Sequence, residues 1–399
     1  MFKLKDIHID GIGGIEDLFL SFNSNMNIIC GPNGVGKTTI LECIAQSFSY
    51  NSGDFLRKKS DHEFGSWEIT SLQGAIHKLK VNNFHPTESI SLHATTNINP
   101  ARDFAKDVIH IKTHRTFNYI PLLSISNNSR QQQLYEEELL VTRGISAEDG
   151  KNWFIHRYMW SAHPDSITPA QKHNLEIAKS IFHKTDSKIR FSRVKADTYD
   201  ILIKQNEREE IYFEYLSSGY KSVIYILLGL IKEIELRFAN DNLNVEDYSG
   251  VILIDEIDLH LHPRWQANLL YTLKEIFPNA QFICTTHSAH IIQAADPSEI
   301  IPLAYDSEGK VIVRKVPSNI YGFQGWTVEE ILTDVMGLEE TRSPFFIDQL
   351  RKFELSLDNE DVENAREAYA VLDNMLHPSN HMRKLLSIQL AALGSDLND

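Results

Sequence analysis

Cysteine is scarce: Cys30, Cys43 and Cys284 are the only three in 399 residues. No CxxC or CxxxxH spacing connects them, so neither a disulfide framework nor a structural zinc site is supported, and a reducing cytoplasm is the expected setting. Long apolar runs are also missing. The longest, Val223–Ile231 (VIYILLGLI), is far short of the roughly 18 residues that cross a bilayer, and the opening MFKLKDIHIDG has no signal-peptide apolar segment. A chain that is neither exported nor membrane-bound is expected. Basic charge is in deficit, with 39 Lys and Arg against 54 Asp and Glu and a net charge of −15. That balance argues against a surface that coats nucleic acid throughout, yet it leaves room for a local basic groove. With 19 glycines and 13 prolines the chain is no linker or collagen, and at 42% hydrophobic and 23% charged it should bury a real core.

What is present begins at Gly31-Pro32-Asn33-Gly34-Val35-Gly36-Lys37-Thr38, which satisfies G-x-x-x-x-G-K-[ST]. Chance produces such a match in a chain of this length on the order of once in a hundred. Context strengthens it: MNIIC (26–30) reads as a buried strand and TILECIAQSF (39–48) as the following helix. Backbone N–H groups wrap a β-phosphate only where no side chain blocks them, hence glycine at 31, 34 and 36, with Asn33, Val35 and Thr39 completing the loop. Lys37 is placed to bridge the β- and γ-phosphates and the Thr38 hydroxyl to ligate Mg²⁺.

A second signal is VILIDE (251–256), four apolar residues ending in two carboxylates. The run reads as a strand buried on both faces, with the acidic pair at the end where open α/β sheets bind ligands. Asp255 would hold Mg²⁺ and Glu256 would orient or deprotonate an attacking water. Between the two motifs lies LSSGYKS (216–222), followed by an apolar helix, and FICTTH (282–287) comes after them.

This order of P-loop, L-S-x-G, apolar strand ending in Asp-Glu and strand ending in His resembles the ABC-type ATPases. More narrowly it resembles the soluble branch of RecF, the SMC proteins and the OLD-type ATPases, over roughly residues 1–50 and 210–305. The resemblance implies an α/β fold: a mostly parallel core sheet, antiparallel N-terminal strands, a helical lobe and a helical C-terminal extension. It implies ATP and Mg²⁺ as cofactors, and ATP hydrolysis as the activity. Ser217 and Gly219 match the signature positions, which in that family contact the γ-phosphate bound by the opposite subunit, so a homodimer or higher oligomer is implied. An ordinary N-cap on a core helix is the alternative reading of LSSGY. His287 matches the γ-phosphate-sensing switch histidine, and Asp258, in IDLHLHP (257–263), the intersubunit D-loop residue. His260 and His262 read as interface packing or as a metal pair with no third ligand evident. The family's Q-loop glutamine has candidates by type alone at Gln131–Gln133.

The expected organisation is 1–50 as the first part of the ATPase core, 51–210 as insertion and helical lobe, 211–316 as the second part of the core and 317–399 as a helical extension. Residues 2–22 alternate as two antiparallel strands, and IIPLAYDSEGKVIVRKV (300–316) reads as a hairpin. The insertion has no sustained heptad, so coiled-coil arms are not expected. Its basic clusters at Arg57-Lys58-Lys59 and Lys184–Lys195, and the aromatic stretch Trp153–Trp160, read either as nucleic-acid contacts or as solvated face and lobe core.

Thr327-Val328-Glu329-Glu330 opens a helix as a capping box, and three further helices follow. No HNH constellation and no Toprim-like alternation is evident in them. The segment GFQGWTVEEILTDVMGLEETRSP (322–344) resembles the PtuA ATPase family of Septu-type bacterial antiviral systems, also used by some retron loci. That resemblance implies a separate HNH nuclease as partner, with the terminal helices either docking it or closing the chain's own core. The alternative function is a RecF-like repair ATPase that binds DNA directly.

Overall fold

The computed structural model describes residues 1–49, 56–82, 84, 92–94, 100–113, 121–122, 124–125, 134–145, 148–206, 210–317, 320–338 and 340–395. The chain divides into two compact units, Met1–Gly337 and Leu338–Asp399. Among the described residues no helix is long and apolar enough to cross a membrane.

The first unit is built on a central sheet in which β3 (Met26–Cys30) lies between β13 (Ile300–Tyr305) and β12 (Gln281–Thr285). Beyond β12 come β11 (Val251–Ile254) and then β7 (Val108–Ile111), all in parallel, while β14 (Val311–Val313) pairs antiparallel with β13 as the expected hairpin. Alternate side chains of these strands feed two cores. Ile29, Val251, Leu253 and Ile283 face one, and Met26, Ile28, Ile252, Ile254, Phe282 and Cys284 face the other. Burial on both faces is why the strands read as continuous apolar runs.

One face is covered by α1 (Lys37–Gln46) and an antiparallel sheet in the order β2 (Ile15–Ser21), β1 (Leu4–Ile12), β4 (Gly65–Ser71), β5 (Ile76–Val81), β6 (Leu92–Ala94). Gln281 ties this sheet to the core by exchanging hydrogen bonds with the backbone of Leu4, at 2.7 and 2.6 Å. The other face is covered by α5 (Ser218–Arg237), apolar almost all round as befits a central helix, and by α6 (Pro263–Ile276). Against them pack the lobe helices α3 (Glu148–Trp160) and α4 (Pro169–Thr185) and a small sheet of β8 (Ile189–Lys195), β9 (Asp200–Gln205) and β10 (Glu210–Tyr212). The short α7 (Ala289–Ala294) follows β12.

Two boundaries differ from expectation. The stretch 51–210 is not all insertion: β4 and β5 extend the N-terminal sheet, β7 forms an edge of the central sheet, and α2 (Leu134–Arg143) packs beside β7. Four residues, VIHI, are too short a run to announce a central strand. Residues 317–337 also stay with the first unit. There Phe323, Ile331, Val335 and Met336 pack on Cys30 and on Ala289 and Ile292 of α7. The Thr327 capping box forms as expected and opens α8 (Val328–Glu330), which continues as a π-helix over Ile331–Val335.

The second unit is three helices, α9 (Pro344–Asp358), α10 (Val362–Met375) and α11 (His381–Ser395), around Phe346, Phe353, Ala365, Ala368, Leu372 and Leu386.

Candidate active site

The glycine loop joins β3 to α1 at one end of the parallel sheet. Gly31, Gly34 and Gly36 have φ of 141°, 80° and 98°, conformations that L side chains rarely adopt, and a Cβ at Gly31 would collide with the Leu303 carbonyl. Val35 is buried in the core beneath the loop, so its contribution is an anchor, whereas Asn33, Gly34 and Thr38 are exposed. Gly36 caps α1 without any side chain, which leaves first-turn N–H groups open toward an anion.

Lys37 is buried, and its Nζ donates to the carbonyls of Gly31 and Pro32, both at 2.9 Å. Burial holds its pKa below the usual lysine range. Thr38 Oγ1 donates to both carboxylate oxygens of Asp255, at 3.2 and 3.1 Å. Asp255 is 5% exposed at the end of β11, and its Oδ1 also accepts from Thr285 Oγ1 at 2.6 Å. Hard oxygen donors of this kind suit Mg²⁺, which Thr38 and Asp255 would hold.

Glu256 follows with φ of 48°, a strained value for a non-glycine residue, and its N–H donates to Thr285 Oγ1 at 2.7 Å. The strain turns the chain out of the strand directly at the second carboxylate. Asp258 then accepts from Thr286 Oγ1 at 2.6 Å and from the His287 N–H at 3.2 Å. His287 is half-buried, and burial, reinforced by the Lys37 ammonium, holds its pKa below the ordinary histidine value. At neutral pH its imidazole is uncharged.

Ser217 is exposed and caps α5, its Oγ accepting from the Tyr220 N–H at 3.4 Å. Gly219 is buried against the D-loop turn. Tyr220 is a core residue whose hydroxyl donates to the Phe182 carbonyl of α4 at 2.6 Å. Among the described residues no hydrogen bond joins Ser217 or Gly219 to the glycine loop. The structure thus gathers Gly31–Thr39, Asp255 and Glu256 at one strand end, brings His287 within electrostatic reach of Lys37, and sets the signature pair on a separate helix tip.

A family model described as "AAA domain, putative AbiEii toxin, Type IV TA system" matches residues 26–293. The chain is also 49% identical to the Septu protein PtuA of Bacillus thuringiensis, over 99% of both chains. It belongs to the PtuA family. It is similar as well to the Retron Ec83 probable ATPase of Escherichia coli, at 22% identity over 97% of this chain and 86% of that one. RecF of Lactococcus lactis is 32% identical over 31% of each chain. PtuA membership makes this an ABC-type ATPase of the SMC/RecF branch, as the order of its motifs implied.

Several residues around this PtuA-family site carried no motif of their own. Thr285 and Thr286 fix Asp255, Glu256 and Asp258, and their only sequence signal was a Thr-Thr pair immediately before His287. His262 caps α6, its Nδ1 accepting from the Arg264 N–H at 3.3 Å. The basic clusters hold acidic or backbone partners: Lys59 pairs with Glu16, Lys58 donates to the His62 carbonyl, Lys184 pairs with Glu275 and Arg193 with Glu210. In the aromatic stretch Trp153 and Phe154 are buried, and Arg157 pairs with buried Glu235 at 2.6 Å, which favours the lobe-core reading there. Gln131–Gln133 lie outside the described residues.

Proposed function

We propose that this chain is the ATP-hydrolysing subunit of an antiviral defence complex, closing as a dimer around ATP to control a separate HNH-type nuclease. The observation that carries the catalytic part is Asp255, buried at its strand end, fixed by Thr285 and facing Thr38 at the mouth of the glycine loop. The loop N–H groups and Lys37 would hold the phosphates, Lys37 exchanging two carbonyl partners for phosphate oxygens. Bound Mg²⁺ supplies neutralisation of phosphate charge. Glu256 takes the proton of the attacking water, and neutral His287 donates a hydrogen bond to the γ-phosphoryl group.

Support for assembly comes from the signature. Ser217 offers an exposed hydroxyl at the start of a 20-residue helix, on an element separate from the glycine loop, so a second copy would bring its ATP there. Support for a nuclease partner comes from PtuA-family membership, and Leu338–Asp399 is the proposed dock for it.

Glu256→Gln keeps the shape of the site and removes the base, so it should bind ATP normally and lose turnover by about 10²- to 10⁴-fold. With ATP it should accumulate as a dimer by light scattering. Undiminished turnover would place the base elsewhere, and an unchanged mass would exclude ATP-driven assembly.

A further inference from the structure

The tip of α5 and the D-loop turn are built against each other through backbone. A Cβ on Gly219 would stand 2.9 Å from the His260 carbonyl oxygen and 2.9 Å from the Trp265 ring. Real Cβ atoms essentially never come that close, so nothing larger than glycine fits the present packing. Ser222, one turn on, donates to the Leu259 carbonyl at 3.4 Å. Trp265 closes the joint: its backbone N–H donates to the His262 carbonyl at 2.8 Å, and its ring meets Tyr220 edge-on at a centroid distance of 5.9 Å. His260 is held at φ of 64° in the same turn. At the turn's other end Asp258 accepts from Thr286 Oγ1 and the His287 N–H.

We propose that Trp265 is a positioning residue for catalysis: by clamping Gly219 to the His260 carbonyl it sets the signature tip relative to the Asp258–His287 contact. Gly219 is then glycine because a backbone carbonyl and an indole occupy the place of its side chain. Movement of the signature tip on assembly would be carried by the turn to the backbone of the switch histidine. The inference rests on the proposed composite site, in which the signature faces ATP held by a second copy.

The test is a kinetic cycle on the full chain with Trp265→Ala, Asp258→Ala and the double variant, beside Gly219→Ala, Trp265→Phe and Ser217→Arg. Trp265→Ala should lower kcat by about tenfold to a hundredfold, the range that small misplacements of catalytic groups cost, with ATP affinity changed by less than about threefold. Trp265→Phe, which keeps a ring over Gly219, should recover most of the rate, a rescue that loss of stability alone would not follow. If Trp265→Ala fails to fold, Gly219→Ala attacks the joint from the other side and should lower kcat in the same way. Losses from Trp265→Ala and Asp258→Ala should fall short of multiplying in the double variant, because both break one connection. Fully multiplicative losses, or an undiminished kcat in both Trp265→Ala and Gly219→Ala, would overturn the proposal. Ser217→Arg separates the two claims: undiminished turnover there sinks the composite site itself, whereas its loss alongside multiplicative losses sinks only the joint.

Discussion

Two helix N-termini in this chain start from polar, glycine-rich sequences, and they are finished in opposite ways. At α1 the cap is a glycine with no side-chain bond, Lys37 and Thr38 are already in contact with the loop and Asp255, and the carboxylates of Asp255 and Glu256 share the strand end. At α5 the cap is Ser217, whose hydroxyl accepts a long bond from the Tyr220 N–H, while Gly219 is occupied by packing against the D-loop turn. The first end gathers its polar groups within one chain. The second leaves an exposed hydroxyl that, in the proposed dimer, would meet ATP held by a second copy. One sequence class, a polar and glycine-rich helix start, therefore encodes both a cradle and a probe.

The largest effect that can break this contrast is on nucleotide affinity. Lys37→Ala removes a buried ammonium that would meet the phosphates in the proposed site and should weaken ATP binding by about two to three orders of magnitude, the scale of losing one partner from a buried charge pair. Ser217→Arg should leave ATP affinity of the isolated chain within about threefold, since an exposed tip side chain lies outside the cradle. Titration calorimetry decides: equal losses in the two variants would mean that the signature belongs to the chain's own site.

The cradle was legible from residues because its chemistry constrains each type at fixed spacing. The apolar strands before Gly31 and after Gly250, and the carboxylates at 255 and 256, fall where the pattern put them. The probe was legible in position, but its inner side was not. Nothing in LSSGY distinguishes a glycine that meets a ligand from one that meets His260 and Trp265, because those partners arrive 41 and 46 residues later in the chain. Tyr220 is the same case, an aromatic residue whose hydroxyl finds the Phe182 carbonyl. The edge strand β7 of the central sheet was hidden by its length. Residues 317–337 read as part of the C-terminal extension because an amphipathic segment does not disclose which core it covers.

A smaller effect sharpens the comparison from below. The support under α1 includes titratable groups: His110 on β7 holds the Val141 carbonyl at 2.9 Å through Nδ1, and neighbouring Lys112 pairs with Glu42 of α1 at 2.6 Å. The side chains of Tyr220, Ser222 and Trp265, which pack at the signature, do not titrate in acid. Burial, with Lys112 adding to it, pushes the His110 pKa down to about 3. The unfolded chain therefore takes up a proton below about pH 6.5 that the folded chain refuses, so this contribution is absent at pH 7 and destabilises as pH falls toward 3. Between pH 7 and 5 the loss should be about 1–2 kcal/mol. His110→Asn, which retains a donor for Val141, should lose that much less over the same interval in urea unfolding. Parallel profiles for the two proteins would show that His110 is protonated in the folded state.

The smallest effect expected concerns the two compact units. Leu338–Asp399 closes its own core around Phe353, a residue with no exposed surface, and ties α10 to α11 through Arg383 and Asp373 at 2.5 and 2.6 Å. Removing it after Gly337 keeps Phe323, Ile331, Val335 and Met336 in place against Cys30 and α7. A cut near 317 would instead strip that cluster from behind the glycine-loop strand, costing several kcal/mol for its buried large side chains. The 1–337 fragment should therefore hydrolyse ATP within about twofold of the full chain and keep its thermal midpoint within a few degrees, while losing the proposed nuclease partner. The 1–317 fragment should unfold or lose ATP binding. A 1–337 fragment that loses turnover would make the terminal helices part of the ATPase. One that still co-purifies with the full partner complement would move the dock into the first unit.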